Sequence, residues 1–302
     1  MSDRLPVFHI GANKAGSTTL QKALFARHPG VLSLGKPEPV EAALKAVSAI
    51  HDHCDSREQD GAPLDREALR ANWQNAIGGA NGRLPVFSRE ELVRYYLYGE
   101  PDATRLPRAI VDMAGPVRVV LIVRHQLRLI ESLYLQKANS ANFLDTEAWL
   151  DSQPDWFAFG FRFGEVADAW GRVVGRDNVG VFMFEEMVKD TASFGRRLCD
   201  FVGIDAGIGV PLLLNQHENV RKSGRTQAYA KFRSSLFPRV SFGALLPAPI
   251  RDAWRSYLEG GKRARVELPA RWMDRIRDHY VADNRRLASE YHLPLKDHGY
   301  PL

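Results

Sequence analysis

The sequence has few cysteines and no long apolar run, and each shortage excludes a class of protein. Of 302 residues only Cys54 and Cys199 are cysteines, too few for a disulfide framework, so we expect both to be reduced. No stretch approaches the roughly 20 apolar residues that a membrane helix needs. The N-terminal residues lack the long apolar segment and small-residue cleavage site of a signal peptide. We therefore expect a cytoplasmic protein without a transmembrane segment.

What remains is the composition of an ordinary globular protein, with 45% hydrophobic and 25% charged residues. Apolar runs typical of strands alternate with segments of helical periodicity; the runs cover residues 7–10, 84–87, 117–123 and 179–184. This alternation predicts an α/β fold with a central parallel sheet flanked by helices. Because no internal repeat or clear linker interrupts the pattern, we expect a single domain over residues 1–302, with helical insertions.

The net charge of +5 is unevenly distributed, since residues 221–290 contain 16 Lys and Arg against seven Asp and Glu. Such a segment can bind nucleic acid, an acidic membrane surface or an anionic small ligand, or it can be a solvated helix face. After residue 250 the arginines alternate with acids, which favours the solvated face. We expect no nucleic-acid partner, and a peripheral membrane contact is the alternative that the sequence leaves undecided.

The most informative stretch covers residues 7–24, V-F-H-I-G-A-N-K-A-G-S-T-T-L-Q-K-A-L. A buried strand precedes Gly11, and a helix that Thr18 or Thr19 can cap follows Gly16. The glycines allow a tight turn and a close approach to a ligand, and unpaired N–H groups at the helix start favour an anion. The stretch therefore predicts an oxyanion-binding loop.

The position of Lys14 distinguishes this loop from the nucleotide P-loop, in which the lysine directly follows the second glycine. Here Lys14 comes two residues before Gly16. The pattern G-x-x-K-x-G-[ST]-T-x-L resembles the 5′-phosphosulfate loop of sulfotransferases that use 3′-phosphoadenylyl sulfate (PAPS). The resemblance implies that the donor binds to Asn13, Lys14, Ala15, Gly16, Ser17, Thr18 and Thr19.

A second motif follows the β-branched run at residues 117–123, which ends at Arg124. A kinase strand of this kind would end in an aspartate for Mg²⁺, whereas an arginine suits an anion held directly by protein. The R-x₇-S-x-Y spacing of Arg124, Ser132 and Tyr134 resembles the 3′-phosphate-binding element of the same sulfotransferases. It implies that Arg124 and Ser132 bind the 3′-phosphate of PAPS.

A third segment, N-Q-H-E-N-V-R-K-S-G-R at residues 215–225, is polar and basic. It resembles the R-K-G segment by which many sulfotransferases close over the 3′-phosphate, although Ser223 intervenes between the lysine and the glycine. The resemblance adds a further set of donor-binding residues: Arg221, Lys222, Ser223 and Gly224.

Glu90 is the candidate general base. Ser88 and Glu91 have the spacing of a capping box after the strand at residues 84–87, which leaves Glu90 as the more interesting acid at a strand end. Its position resembles the S-x-E of bacterial sulfotransferases. Histidines near the motifs are the alternatives; His9 and His125 lie where histidines are more often structural, and His217 lies in a polar loop.

Taken together, the resemblance extends from about residue 7 to residue 301 and implies transfer of a sulfuryl group from PAPS to an acceptor hydroxyl or amine, releasing adenosine 3′,5′-bisphosphate. Lys14 would be the catalytic cation. No metal is implied, because the transferred group carries little charge, and the neighbouring His51, His53 and Cys54 lack a second ligand pair. A carbohydrate, a lipid-linked sugar or a small alcohol could be the acceptor. A P-loop kinase that uses a nucleoside triphosphate and an inactive nucleotide-binding interaction protein are the alternatives.

Overall fold

The computed structural model describes residues 4–54, 64–93, 102–137, 145–215 and 266–302. In these residues five parallel strands form one sheet in the order β2-β3-β1-β4-β5. The strands are β1 (Val7–Gly11), β2 (Val31–Ser33), β3 (Leu84–Ser88), β4 (Arg118–Val123) and β5 (Val179–Met183). All of β1 is buried, as expected for a central parallel strand with both faces covered. The predicted α/β architecture is confirmed.

The connections between the strands are helical. After β1 the chain forms a short helix, α1 (Ser17–Thr19), that continues as a π-helix (Leu20–Phe25). Short 3₁₀ turns follow at Glu90–Val93, Arg176–Asn178 and Leu295–His298. The other helices, in chain order, are α2 (Glu41–Cys54), α3 (Arg66–Ile77), α4 (Arg105–Ala114), α5 (Gln126–Lys137), α6 (Thr146–Asp151), α7 (Asp155–Phe159), α8 (Phe163–Val174), α9 (Phe184–Lys189), α10 (Thr191–Val202), α11 (Ala206–Leu214) and α12 (Ala270–Glu290).

The core forms where these helices pack on the sheet. Trp73 of α3 is fully buried and stacks on Phe8 of β1, with ring centroids 5.3 Å apart. Tyr280 of α12, also fully buried, donates a hydrogen bond of 2.7 Å to the Ala158 carbonyl and accepts one of 3.0 Å from the Phe161 amide. The hydroxyl therefore satisfies the backbone of the irregular segment before α8.

Two local predictions are wrong. The helix after the loop begins at Ser17 with Gly16 as its N-cap, so Thr18 and Thr19 lie inside it and cap nothing. Ser88 ends β3 rather than starting a helix, and its side chain points into the core, where it is 1% exposed. Among the described residues, no helix is both long and apolar enough to cross a membrane.

Candidate active site

The predicted site residues collect at one edge of the sheet. The loop at residues 12–16 follows β1, Glu90 follows β3 and Arg124 follows β4. Since β3 and β4 pair with β1 on its two sides, their carboxyl ends flank the loop. Ligands of open parallel sheets bind at this edge.

The backbone of the loop takes up conformations that few residues tolerate. Lys14 has φ of 70° and Gly16 has φ of 84°, both in the left-handed region. A Cβ atom at Gly16 would lie 2.2 Å from Met187 Cε and 3.0 Å from Phe184 Cδ2 in α9, so any other residue here would need a positive φ and a shift of the Met187 side chain. Lys14 is exposed. A non-glycine residue held at positive φ often marks a functional site.

Ser17 lies directly under the loop. Its side chain is 1% exposed, and among the described residues Oγ has no hydrogen-bond partner. Leaving a buried hydroxyl unpaired costs about 1–3 kcal/mol, so such a group calls for an explanation. Asn13, Thr18 and Thr19 beside it are half-buried. An anion in the loop would give the Ser17 hydroxyl an acceptor, so these residues fit the 5′ group of PAPS.

Arg124 braces the loop from the β4 side. Its side chain is 4% exposed, and Nη1 donates a hydrogen bond to the carbonyl of Lys14. The guanidinium carbon lies 4.6 Å from the centre of the Phe184 ring. The structure thus brings Arg124 against the loop. Ser132 is half-buried on α5, about two turns beyond its start. Residues 221–224 lie outside the described residues.

Behind Arg124, Glu185 joins three segments of the chain. It accepts hydrogen bonds from the His125 amide (3.0 Å) and the Tyr300 hydroxyl (2.9 Å). Burial, followed by the neighbouring Glu185 charge, raises the pKa of Tyr300 well above its usual value, which keeps the hydroxyl protonated as a donor. The end of β4 is therefore tied to α9 and to the C-terminal segment.

Glu90 opens the 3₁₀ turn after β3, and its Oε2 lies 3.7 Å from Lys36 Nζ. The two side chains are 16% and 46% exposed. Lys36 lies near Glu90 because the segment after β2 packs on the end of β3. The Lys36 amide donates a hydrogen bond of 3.4 Å to the Ser88 carbonyl, and a Cβ atom at Gly35 would collide with the Ser88 backbone. The ammonium offsets part of the cost of keeping a half-buried carboxylate ionised. Sequence reasoning missed Lys36, because its contact with Glu90 joins segments that are more than 50 residues apart in the chain.

Two of the three candidate histidines are poorly placed to act as a base. His9 is fully buried, and burial lowers its pKa to about 3. Burial also lowers the pKa of His125, whose Nε2 lies 2.8 Å from the Gly299 carbonyl oxygen. Neither ring is accessible to an acceptor molecule. His217 lies outside the described residues.

A cavity of about 340 Å³ lies between α2, α3 and α4, away from these residues. Two of the arginines that line it already face carboxylates, with Arg66 3.3 Å from Asp112 and Arg108 3.1 Å from Asp102. These ion pairs reduce the positive charge that the cavity could offer to an anion. Of the predicted site residues that the structure describes, none lines it.

The sequence of residues 6–207 matches the model of a known family, described as the sulfotransferase family. This chain belongs to the sulfotransferase family. The match includes the loop, Glu90, Arg124 and Ser132, while the segment at residues 221–224 lies beyond it. No curated protein sequence matches this sulfotransferase chain.

Solved structures of sulfotransferases align with most of the chain. A sulfotransferase from Alicyclobacillus acidocaldarius aligns over 97% of this chain and 98% of its own, with 14% identity and a TM-score of 0.56. The sulfotransferase domain of the Synechococcus PCC 7002 olefin synthase aligns over 92% and 95%, with 16% identity and a TM-score of 0.43. Mouse sulfotransferase SULT7A1, complexed with PAP, aligns over 96% and 83%, with 13% identity and a TM-score of 0.41. The first similarity establishes the P-loop-like fold of this sulfotransferase.

Proposed function

We propose that this protein is a PAPS-dependent sulfotransferase that moves a sulfuryl group to a hydroxyl, or less favourably an amine, of a carbohydrate or other small acceptor. The observation that carries the proposal is the loop after β1. It combines an exposed Lys14 at positive φ, a Gly16 at positive φ packed against Met187 and a buried Ser17 hydroxyl without a partner among the described residues. These features suit an anion held by protein groups alone.

Each predicted residue has a distinct role in this proposal. PAPS supplies the activated sulfuryl group, and adenosine 3′,5′-bisphosphate is the product. Lys14 is the catalytic cation: it compensates the negative charge that develops on the departing oxygen. The loop residues hold the 5′ group, and Arg124 and Ser132 hold the 3′-phosphate. Arg221, Lys222, Ser223 and Gly224 stay as predicted donor contacts.

Glu90 is the proposed base, which removes the proton from the acceptor hydroxyl. Its half-buried carboxylate at the end of β3 lies on the opposite side of the loop from Arg124. Acceptor and donor can therefore enter from different sides, an arrangement that favours in-line transfer. Lys36 compensates the charge of Glu90 before the proton arrives.

A thermal-unfolding experiment tests the donor. Adenosine 3′,5′-bisphosphate should stabilise the protein in the presence of EDTA, because a ligand that binds only the folded state adds RT ln(1 + [L]/Kd), about 2.7 kcal/mol at ~100 Kd. Adenosine 3′-monophosphate, which lacks the 5′ group, should stabilise it less at the same concentration. Stabilisation by ATP with Mg²⁺ but not by the bisphosphate would favour a kinase and overturn the proposal.

A further inference from the structure

Directly beneath the loop at residues 12–16, named the anion loop after its proposed ligand, lies a buried group of three polar side chains. His9 Nδ1 lies 2.7 Å from Ser88 Oγ, and Gln21 Nε2 donates to the same Ser88 oxygen over 3.0 Å. The three residues are 0%, 1% and 3% exposed in the order His9, Ser88, Gln21. They come from β1, β3 and the π-helix, so the group joins the three elements that form the floor of the loop on its β3 side.

The chemistry of this group determines which nitrogen of His9 carries the proton. Ser88 Oγ already accepts a hydrogen bond from Gln21 and has one proton of its own to donate. Giving that proton to Nδ1 satisfies both groups, whereas an Nδ1–H would leave the buried Ser88 proton without its acceptor. Because burial keeps the ring neutral, the remaining proton then lies on Nε2. His9 therefore presents an N–H donor on the side away from Ser88.

That donor faces the base of the loop. A Cβ atom placed on Gly11 would lie 3.5 Å from His9 Nε2 and 3.2 Å from Ser17 Oγ, so both atoms border the same small space above the Gly11 α-carbon. Within the described chain, neither atom has a hydrogen-bond partner. Gly11 is not at positive φ, so the need for glycine here is one of space.

We propose that His9 is a positioning residue, whose Nε2–H donates to Ser17 Oγ when an anion occupies the loop and thereby directs the Ser17 proton to that anion. The inference rests on the proposed function, in which the loop holds the 5′ group of PAPS. Ser88 and Gln21 fix the ring orientation, and Gly11 leaves the path between the two side chains open. His9 itself touches neither donor nor acceptor.

The free protein tests the assignment of the proton without any ligand. A long-range ¹⁵N–¹H spectrum of the imidazole rings should show His9 protonated at Nε2 and unprotonated at Nδ1. Ser17→Ala should shift the Nε2 resonance, since it removes the neighbouring oxygen. Protonation at Nδ1 would overturn the proposal.

Two substitutions at His9 separate the functions of its nitrogens. Gln places an amide N–H near the position of Nε2, whereas Asn keeps a polar group near Nδ1 and has none near Nε2. We expect His9→Asn to weaken adenosine 3′,5′-bisphosphate binding about tenfold, the value of one hydrogen bond in a chain that ends on a charge, and His9→Gln to weaken it about threefold or less. Binding of adenosine 3′-monophosphate should change in neither variant. Equal losses in both variants would show a purely structural histidine.

A double-mutant cycle completes the test. In a Ser17→Ala background His9→Asn should cause no further loss of bisphosphate affinity, because the path from His9 to the anion is already broken. Gly11→Ala keeps both His9 and Ser17 but fills the space between them, so it should cause the same loss of affinity as His9→Asn. It therefore serves as the test if His9→Asn folds poorly. A full additional loss in the Ser17→Ala background overturns the proposal. If the wild type does not bind the bisphosphate, the proposed function fails, and only the NMR experiment tests the coupling of His9 to Ser17. A shift of the Nε2 resonance in Ser17→Ala then supports that coupling, and the absence of a shift overturns it.

Discussion

On its β3 side the anion loop rests on neutral buried groups, whereas on its β4 side a charged network holds it. The β3 flank comprises His9, Gln21, Ser88 and, at the rim, the ion pair of Glu90 with Lys36. The β4 flank comprises Arg124, His125, Phe184, Glu185 and Tyr300. One flank fixes directions by hydrogen bonds, and the other supplies positive charge.

This difference follows from what each flank must do in the proposed reaction. A base has to gain a proton, and Glu90 lies beside the partly exposed ammonium of Lys36. A phosphate has to be held, which requires a rigid guanidinium, and Arg124 is fixed by a carbonyl and an aromatic ring. Substitution of Glu90 on the β3 flank should therefore change rate, and substitutions on the β4 flank should change affinity.

The largest expected effect is on the β3 flank. Glu90→Gln keeps the shape of the side chain and removes the base, so turnover with PAPS should fall by roughly 10²–10⁴. Affinity for adenosine 3′,5′-bisphosphate, measured by calorimetry, should stay within about twofold. The exposed Glu67→Gln is the matched control. Near-normal turnover would transfer the role to a histidine, with His217 the first to examine.

Lys14 connects the flanks, because its side chain is in the loop and its carbonyl is held by Arg124. Lys14→Ala should lower turnover by about 10²–10³, since its charge is needed most as the bridging oxygen departs. Product affinity should fall far less. Lys22→Ala removes the same charge from an exposed position of the next helix and should change neither quantity. Equal, modest losses in turnover and affinity would mean that Lys14 only anchors the ground state.

On the β4 flank, Arg124→Ala should weaken adenosine 3′,5′-bisphosphate binding by about 2–5 kcal/mol, the usual cost of removing one partner of a desolvated charge pair. Because the arginine also holds the Lys14 carbonyl, adenosine 5′-monophosphate should lose about 1 kcal/mol. Ser132→Ala should cost about 1 kcal/mol for the bisphosphate alone.

Arg118 provides a matched control for Arg124. It begins the same strand, donates to the Phe201 carbonyl over 3.0 Å and lies 6.0 Å from the Phe201 ring. Arg118→Ala therefore removes similar packing at the opposite edge of the sheet and should leave both affinities unchanged. If Arg124→Ala weakens the two nucleotides equally in calorimetry, the arginine only braces the loop.

The smallest effect is a pH dependence that belongs to the β3 flank. The pKa of His9 is about 3 in the folded protein against 6.5 as the ordinary value. Acidification therefore favours the unfolded state, and the free energy of unfolding should fall by up to about 1.4 kcal/mol per pH unit below pH 6.5. Between pH 7.5 and 5.5, the free energy of urea unfolding should fall by about 1.4 kcal/mol more in wild type than in His9→Gln. Parallel pH profiles would show that His9 is not held neutral.

The loop and the strands on either side of it could largely be predicted from local sequence. Residues 7–10 and 117–123 have the apolar pattern of buried strands, and the positions of Lys14 and Arg124 follow from those strands. The sequence analysis missed two elements. The strand β2 has only three residues, too few to show a period. The helix α4 could have been recognised, because Leu106, Ile110 and Met113 have helical spacing.

The contacts within the β3 flank could not be predicted, because they depend on register, although Glu90 itself was. Ser88 has the local pattern of a helix cap, yet parallel pairing places it opposite His9, and the core then uses its hydroxyl. Lys36 reaches Glu90 only because Gly35 lets another segment approach the Ser88 backbone. Contacts between segments that are distant in sequence carry no local signal.

Gly16 has a consequence for directed evolution of this loop. The side chains of Met187 and Phe184, which are some 170 positions further along the chain, occupy the space where a Cβ atom at position 16 would lie. A library that varies only residues 11–19 should therefore strongly favour glycine at position 16, because any other residue needs a positive φ and a shift of the Met187 side chain. Joint randomisation with position 187 removes the collision but leaves φ at 84°, a conformation that asparagine tolerates best among the other residues. New donor specificities in this scaffold are thus expected to arise through linked changes in the loop and in α9.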